Sequence, residues 1–120
     1  MHIIITCVHM EMTDAIQTYA LEKMRALEKY VGGDDTSGKL TLELSKTTNH
    51  HAHGPVFQAE ARLHIKGKET TLKTTQDDLY KAVDIVKDML ARELAQHASK
   101  QRSILRRGAH RVKVLFKKII

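Results

Sequence analysis

The sequence predicts an α+β domain of order β-α-β-β-β-α, two helices packed on one face of a four-stranded sheet, followed by a basic C-terminal tail. Three observations predict it. Residues 57–65 alternate strictly between apolar and polar side chains, the period of a strand with one buried face. Two separate stretches repeat apolar residues every three or four positions, the period of a helix lying on a core. Lys66-Gly67-Lys68 joins two strand-like runs through a turn too short for anything but a hairpin.

Each element follows from local chemistry. His2 to Val8 is a β-branched run, Ile3-Ile4-Ile5 at its centre, and reads as the first strand. Thr13 stands at an N-cap position, with Asp14 in the first turn complementing the helix dipole. Ile16, Tyr19, Ala20, Met24, Leu27, Tyr30 and Val31 then mark a helix that Gly32-Gly33 is expected to stop. Leu40, Leu42 and Leu44 alternate with Thr41, Glu43 and Ser45 as a second strand. Phe57, Ala59, Ala61, Leu63 and Ile65 form the inner side of the third, and Glu69 to Thr75 forms the fourth. Gln76 or Asp77 opens the last helix, which is predicted to run to about Ser103 on the stripe Leu79, Val83, Val86, Leu90 and Leu94. Phe57 and Tyr19 are assigned to the core.

The 120 residues, 42% hydrophobic and 28% charged, fit one compact domain. The expected division is residues 1–103 as a folded binding domain and 104–120 as an extension, the end of a helix and then an arm. No apolar run approaches the length of a membrane span, and the first residues lack the pattern of a signal peptide. One cysteine, Cys7, excludes an internal disulfide and suits a reducing compartment, so a cytoplasmic protein is expected.

Charge is unevenly placed. Residues 1–99 carry 12 Lys and Arg against 14 Asp and Glu, whereas residues 100–120 carry eight bases and no acid. A near-neutral body with a basic tail points to a polyanionic partner. Enzyme signatures are missing: there is no glycine-rich phosphate loop, no G-x-S-x-G and no H-E-x-x-H. Cys7 shares the parity of Ile3 and Ile5 and reads as a small core residue. His50, His51 and His53 are good ligand types, yet no Cys, Asp or Glu accompanies them in their Gly-Pro loop, which reads as solvated. Asp77 and Asp78 suit a helix start, and Asp84 and Asp88 can pair with Lys81, Lys87 and Arg92. No catalysis, cofactor or metal is therefore expected.

The bases on the helices carry the functional reading. Lys81, Arg92, Arg102 and Arg106 fall on a broad arc opposite the apolar stripe, and Arg107 extends it. Lys23 lies within the arc of Ile16, Ala20 and Leu27, so it either snorkels or is placed for a partner. Few aromatic residues are free to stack on bases, which favours recognition of RNA backbone and shape.

Over about residues 1–100 the chain resembles the bacterial family of ribosome hibernation-promoting factors and ribosome-associated translation inhibitors, the protein Y family. The resemblance runs through Thr13-Asp14-Ala15-Ile16, through Lys23 to Tyr30 as K-x-x-x-L-E-x-Y, and through Asp77 to Asp84 as D-x-Y-x-A-I-D, followed by Leu90 to Leu94. It implies a monomer when free that binds the small ribosomal subunit and its rRNA in the mRNA/tRNA channel near the decoding region. Occupancy would block translation and preserve idle ribosomes, with no small-molecule substrate and no membrane involved. Carried over by position, Lys23, Arg25, Lys29, Arg92 and Lys100 become rRNA contacts. Lys81, Lys87, Arg102, Arg106 and Arg107 complete the candidate set. Tyr80 and Asp84 are expected to hold the second helix against the sheet. The chain departs from the family pattern at Cys7, Met89, Gln96 and Ala98, the last three replacing bases, and it is too short for the dimerisation domain of the long members. A general double-stranded RNA-binding module is the alternative; a metal protein using the three histidines and a membrane-associating tail at residues 112–120 are further readings.

Overall fold

The computed structural model describes residues 1–31, 38–48 and 55–96. The predicted histidine loop, the Gly32-Gly33 stop and everything after residue 96 lie outside the described residues. The elements are β1 (His2–Val8), α1 (Asp14–Arg25), a 3-10 turn (Ala26–Tyr30), β2 (Lys39–Thr48), β3 (Pro55–Ile65), β4 (Lys68–Gln76) and a second helix, α2, over residues 79–96. The predicted α+β order is the observed one.

The four strands lie in sequence order in one mixed sheet. β1 and β2 are parallel, His2 opposite Lys39 and Cys7 opposite Leu44, with α1 as the crossover. β2 and β3 are antiparallel, as are β3 and β4. Ile65 pairs with Lys68, which leaves Lys66 and Gly67 as a two-residue loop with φ of 49° and 78°. Positive φ at both positions is the geometry that matches the right-handed twist of the flanking strands, and glycine adopts it without steric cost.

Both helices cover one face. Leu40, Leu42 and Leu44 of β2 and Ala59, Ala61, Leu63 and Ile65 of β3 meet Ile16, Ala20, Met24 and Leu27 from the first helical region. Ala82, Val83, Val86, Leu90 and Leu94 from α2 complete this core. Burying a leucine of this kind stabilises the fold by about 1.5–3 kcal/mol. Alanines at 59, 61 and 82 let the helices approach the sheet closely. The opposite face is polar, and Arg62 there pairs with Glu43 at 3.6 Å and Glu60 at 3.3 Å.

Several sequence expectations change. α1 ends at Arg25 and tightens into the 3-10 turn through Tyr30, a usual way to finish a helix C-terminus, so one helix does not run to Val31. The cap of α2 is Asp78, whose Oδ1 accepts from the Lys81 N–H at 3.1 Å, whereas Gln76 still belongs to β4. Leu79 and Phe57 are only half-buried, and Ala82 occupies the buried place at the start of α2. Tyr19 and Cys7 are likewise half-buried at the margin of the core. Thr13 is the predicted N-cap, its Oγ1 accepting from the Ile16 N–H at 3.2 Å.

Candidate nucleic-acid interface

Strand directions fix the helix directions. β1, β2 and β4 all point one way, and each helix returns across the same face after one of them, so α1 and α2 run side by side and parallel. Their starts, Thr13 and Asp78, therefore share one end of the domain. Arg25, Lys29 and Arg92 lie towards the other.

A polar seam joins the two helices near their starts. The Tyr19 hydroxyl donates to Asp84 Oδ1 at 2.5 Å, Lys23 Nζ lies 3.6 Å from the same oxygen, and the Tyr19 and Tyr80 rings meet edge to face at 4.9 Å. Lys23 also stands 5.3 Å from the centre of the Tyr19 ring. The hydrogen bond to Asp84 and, after it, burial push the Tyr19 hydroxyl up to about 12, because ionising it would remove the donor and set a phenolate beside a carboxylate. Asp84 thus pairs with Lys23 of the other helix, not with Lys81 or Lys87. Tyr80 and Asp84 fasten α2 to α1, not to the sheet. Sequence reasoning missed this seam. Its signal was present as two i,i+4 pairs, 19 with 23 and 80 with 84, one on each helix.

Of the candidate contacts, Lys23, Lys81 and Lys87 have carboxylate partners: Asp84, Asp77 at 3.8 Å and Asp88 at 3.9 Å respectively. Arg25, Lys29 and Arg92 have no ion pair among the described residues, although Lys29 Nζ stands 5.2 Å from the Tyr30 ring centre. Arg25, Lys29 and Arg92 are exposed. Lys100, Arg102, Arg106 and Arg107 lie outside the described residues. Exposed pairs contribute about 0–1 kcal/mol, so a phosphate can displace the partner of Lys81 at little cost. Acids and bases balance on each helix, three against three over residues 14–30 and again over 79–96. What distinguishes the far end is therefore which bases lack an ion pair among the described residues, not a net excess.

At the near end a groove of about 370 Å³ is lined by Met10, Glu11, Thr13, Ile16, Phe57, Asp77, Asp78, Leu79 and Tyr80. Among the described residues no three His, Cys, Asp or Glu side chains are grouped to hold a metal, and no helix is long and apolar enough to cross a membrane. Cys7 is half-buried with Sγ 3.6 Å from Met12 Sδ, and burial pushes its thiol up, away from the reactive thiolate.

These features define a small α+β domain that displays two parallel, charged helices over a mixed sheet. Residues 3–102 match the family described as Sigma 54 modulation protein / S30EA ribosomal protein, and the chain belongs to that family. It is similar to the ribosome hibernation promoting factor of Pseudomonas putida, at 30% identity over 86% of this chain and 92% of the relative. It is also similar to the factor of that name from Escherichia coli strain K12, at 29% identity over 83% of this chain and 96% of the relative. The fold matches the N-terminal domain of Thermus thermophilus Protein Y with a TM-score of 0.64 at 24% identity, covering 81% of this chain and 99% of that domain. A ribosomal subunit interface protein from Coxiella burnetii gives a TM-score of 0.58 at 20% identity, covering 86% of this chain and 99% of the other.

Proposed function

We propose that this protein is a ribosome hibernation factor that binds the small ribosomal subunit in the mRNA/tRNA channel near the decoding region. By occupying that channel it blocks translation and preserves idle ribosomes in the cytoplasm. It acts as a monomer and makes or breaks no covalent bond. The observation that carries this reading is the alignment along 92% and 96% of two relatives named as hibernation promoting factors. The exposed Arg25, Lys29 and Arg92, without an ion pair among the described residues, support it by supplying planar forks and a point charge suited to phosphate oxygens. Lys23, Lys81 and Lys87 join them by exchanging carboxylates for phosphates, and Lys100, Arg102, Arg106 and Arg107 extend the contact along the tail. Tyr80 is the only aromatic residue among the large exposed apolar side chains described, which favours backbone and shape over base stacking.

Co-sedimentation with isolated small and large subunits across a salt series, with long duplex RNA as competitor, tests the reading. Saturable binding to small subunits that duplex RNA does not displace is expected. Equal binding to both subunits and to duplex would make the protein a general double-stranded RNA-binding module instead. In the same assay the double variant Arg106→Ala/Arg107→Ala should flatten the dependence of log K on log salt by about two. An unchanged slope would remove the tail from the interface.

A further inference from the structure

The groove at the shared start of the two helices touches the proposed interface only through Asp77, the partner of Lys81, and its chemistry is specific. Met10, Ile16, Phe57, Leu79 and Tyr80 give it an apolar floor and wall, and Tyr80 is 42% exposed, a large apolar surface left open. Glu11, Asp77 and Asp78 line it, with Asp14 next to Thr13 in the first turn of α1, and no basic residue lines it. Lys81 offsets Asp77 at 3.8 Å, Lys46 stands 6.0 Å from the centre of the Phe57 ring, and the two helix N-termini add about +0.5 each, which leaves the four carboxylates an excess of about one negative charge. Its complement is an extended peptide that is both basic and apolar.

This chain contains such a segment. Residues 109–120 include Arg111, Lys113, Lys117 and Lys118 interleaved with Val112, Val114, Leu115, Phe116, Ile119 and Ile120, and no acid. We propose that in the free protein the groove is the docking site of this segment, apolar side chains against Met10, Phe57, Leu79 and Tyr80, bases against Glu11, Asp14, Asp77 and Asp78. The reach is sufficient. α2 carries the chain from the groove to residue 96, about 26 Å at 1.5 Å per residue. An extended chain returns that distance in about eight residues at 3.3 Å each, and 24 follow residue 96. Docked in this way, the tail's bases are occupied by carboxylates until a polyanion competes for them, so the protein's general affinity for RNA is restrained.

The test is NMR of the full chain with labelled methionine methyls and backbone amides. In low salt, the tail variant Leu115→Asp/Phe116→Asp should shift the Met10 methyl and the Leu79 and Tyr80 amides, while the core Met24 methyl stays in place. The groove variant Glu11→Lys/Asp77→Lys should release the tail, so that adding the tail substitutions to it shifts these signals no further. About 0.5 M salt should move the wild-type spectrum towards that of the tail variant, since ionic contacts at exposed sites are screened over a few ångströms. Superimposable wild-type and tail-variant spectra at low salt would overturn the proposal. Shifts that grow with protein concentration would overturn it in favour of tail exchange between copies.

Discussion

The two ends of the helix pair use charge in opposite ways. At the starts of α1 and α2, carboxylates gather around an apolar groove and Asp84 is committed to Tyr19 and Lys23. Towards the other end Arg25, Lys29 and Arg92 are left without carboxylates among the described residues. Helix dipoles explain part of this, since acids are stabilised at N-termini and bases at C-termini. Because the helices are parallel, the two preferences add instead of cancelling: acids gather at one end, while the other, balanced in formal charge, offers the bases that have no ion pair among the described residues. Bases can thus be made available to a partner without a basic composition.

The largest expected effect breaks the cationic end. The triple variant Arg25→Ala/Lys29→Ala/Arg92→Ala should lower the salt slope of small-subunit binding by about two to three and weaken affinity about a hundredfold near 0.1 M salt. Its melting temperature should stay within about 2 °C of wild type, because among the described residues these exposed side chains make no ion pair and only Lys29 makes a contact, over the Tyr30 ring. The next effect falls on the seam. Asp84→Ala removes the acceptor of the Tyr19 hydroxyl and the partner of Lys23 together, at a cost of about 1–2 kcal/mol, read as a melting temperature lower by about 4–10 °C. Tyr19 sharpens the same point spectroscopically. Its hydroxyl ionises near 12 when folded against 10.0 for an unperturbed tyrosine, so the seam's contribution is whole below pH 10 and is lost as the pH rises towards 12. Ultraviolet titration should show one late tyrosine, and Asp84→Ala should abolish the delay. The smallest effect is that of Lys23→Ala. An exposed ion pair is worth at most about 1 kcal/mol, so stability should hardly change while ribosome affinity falls slightly. A stability loss as large as that of Asp84→Ala would make Lys23 a structural residue only.

What the sequence made legible is what depends on near neighbours. The Thr13 cap, the alternation through β3 and the Lys66-Gly67 hairpin each follow from a few adjacent residues, and the β-α-β-β-β-α order follows from joining them. The bond from Tyr19 to Asp84 joins residues far apart in sequence, and its existence depends on how two helices are rotated about their axes. Neither periodicity nor propensity fixes that rotation. The 3-10 turn at Ala26–Tyr30 was hidden for a related reason: its apolar spacing suits an α-helix equally well. Of the candidate interface, residue type and outward placement were readable at Arg25, Lys29 and Arg92, whereas the pairing of Lys23, Lys81 and Lys87 was visible only once neighbouring side chains had positions.

The unequal reach of the strand pairs has a kinetic meaning. Ile65 finds Lys68 across a two-residue loop, but His2 finds Lys39 only after the whole of α1 has formed and crossed the sheet. β1 and β4 are both edge strands, but β1 closes much the longer loop, so it is expected to dock after the hairpin and to detach more readily than β4. Cys7 sits on that strand. Its half-buried thiol therefore reports on that strand: labelling by a thiol reagent that accelerates well below the unfolding midpoint in denaturant marks detachment of β1, a sub-global opening distinct from unfolding of the whole domain.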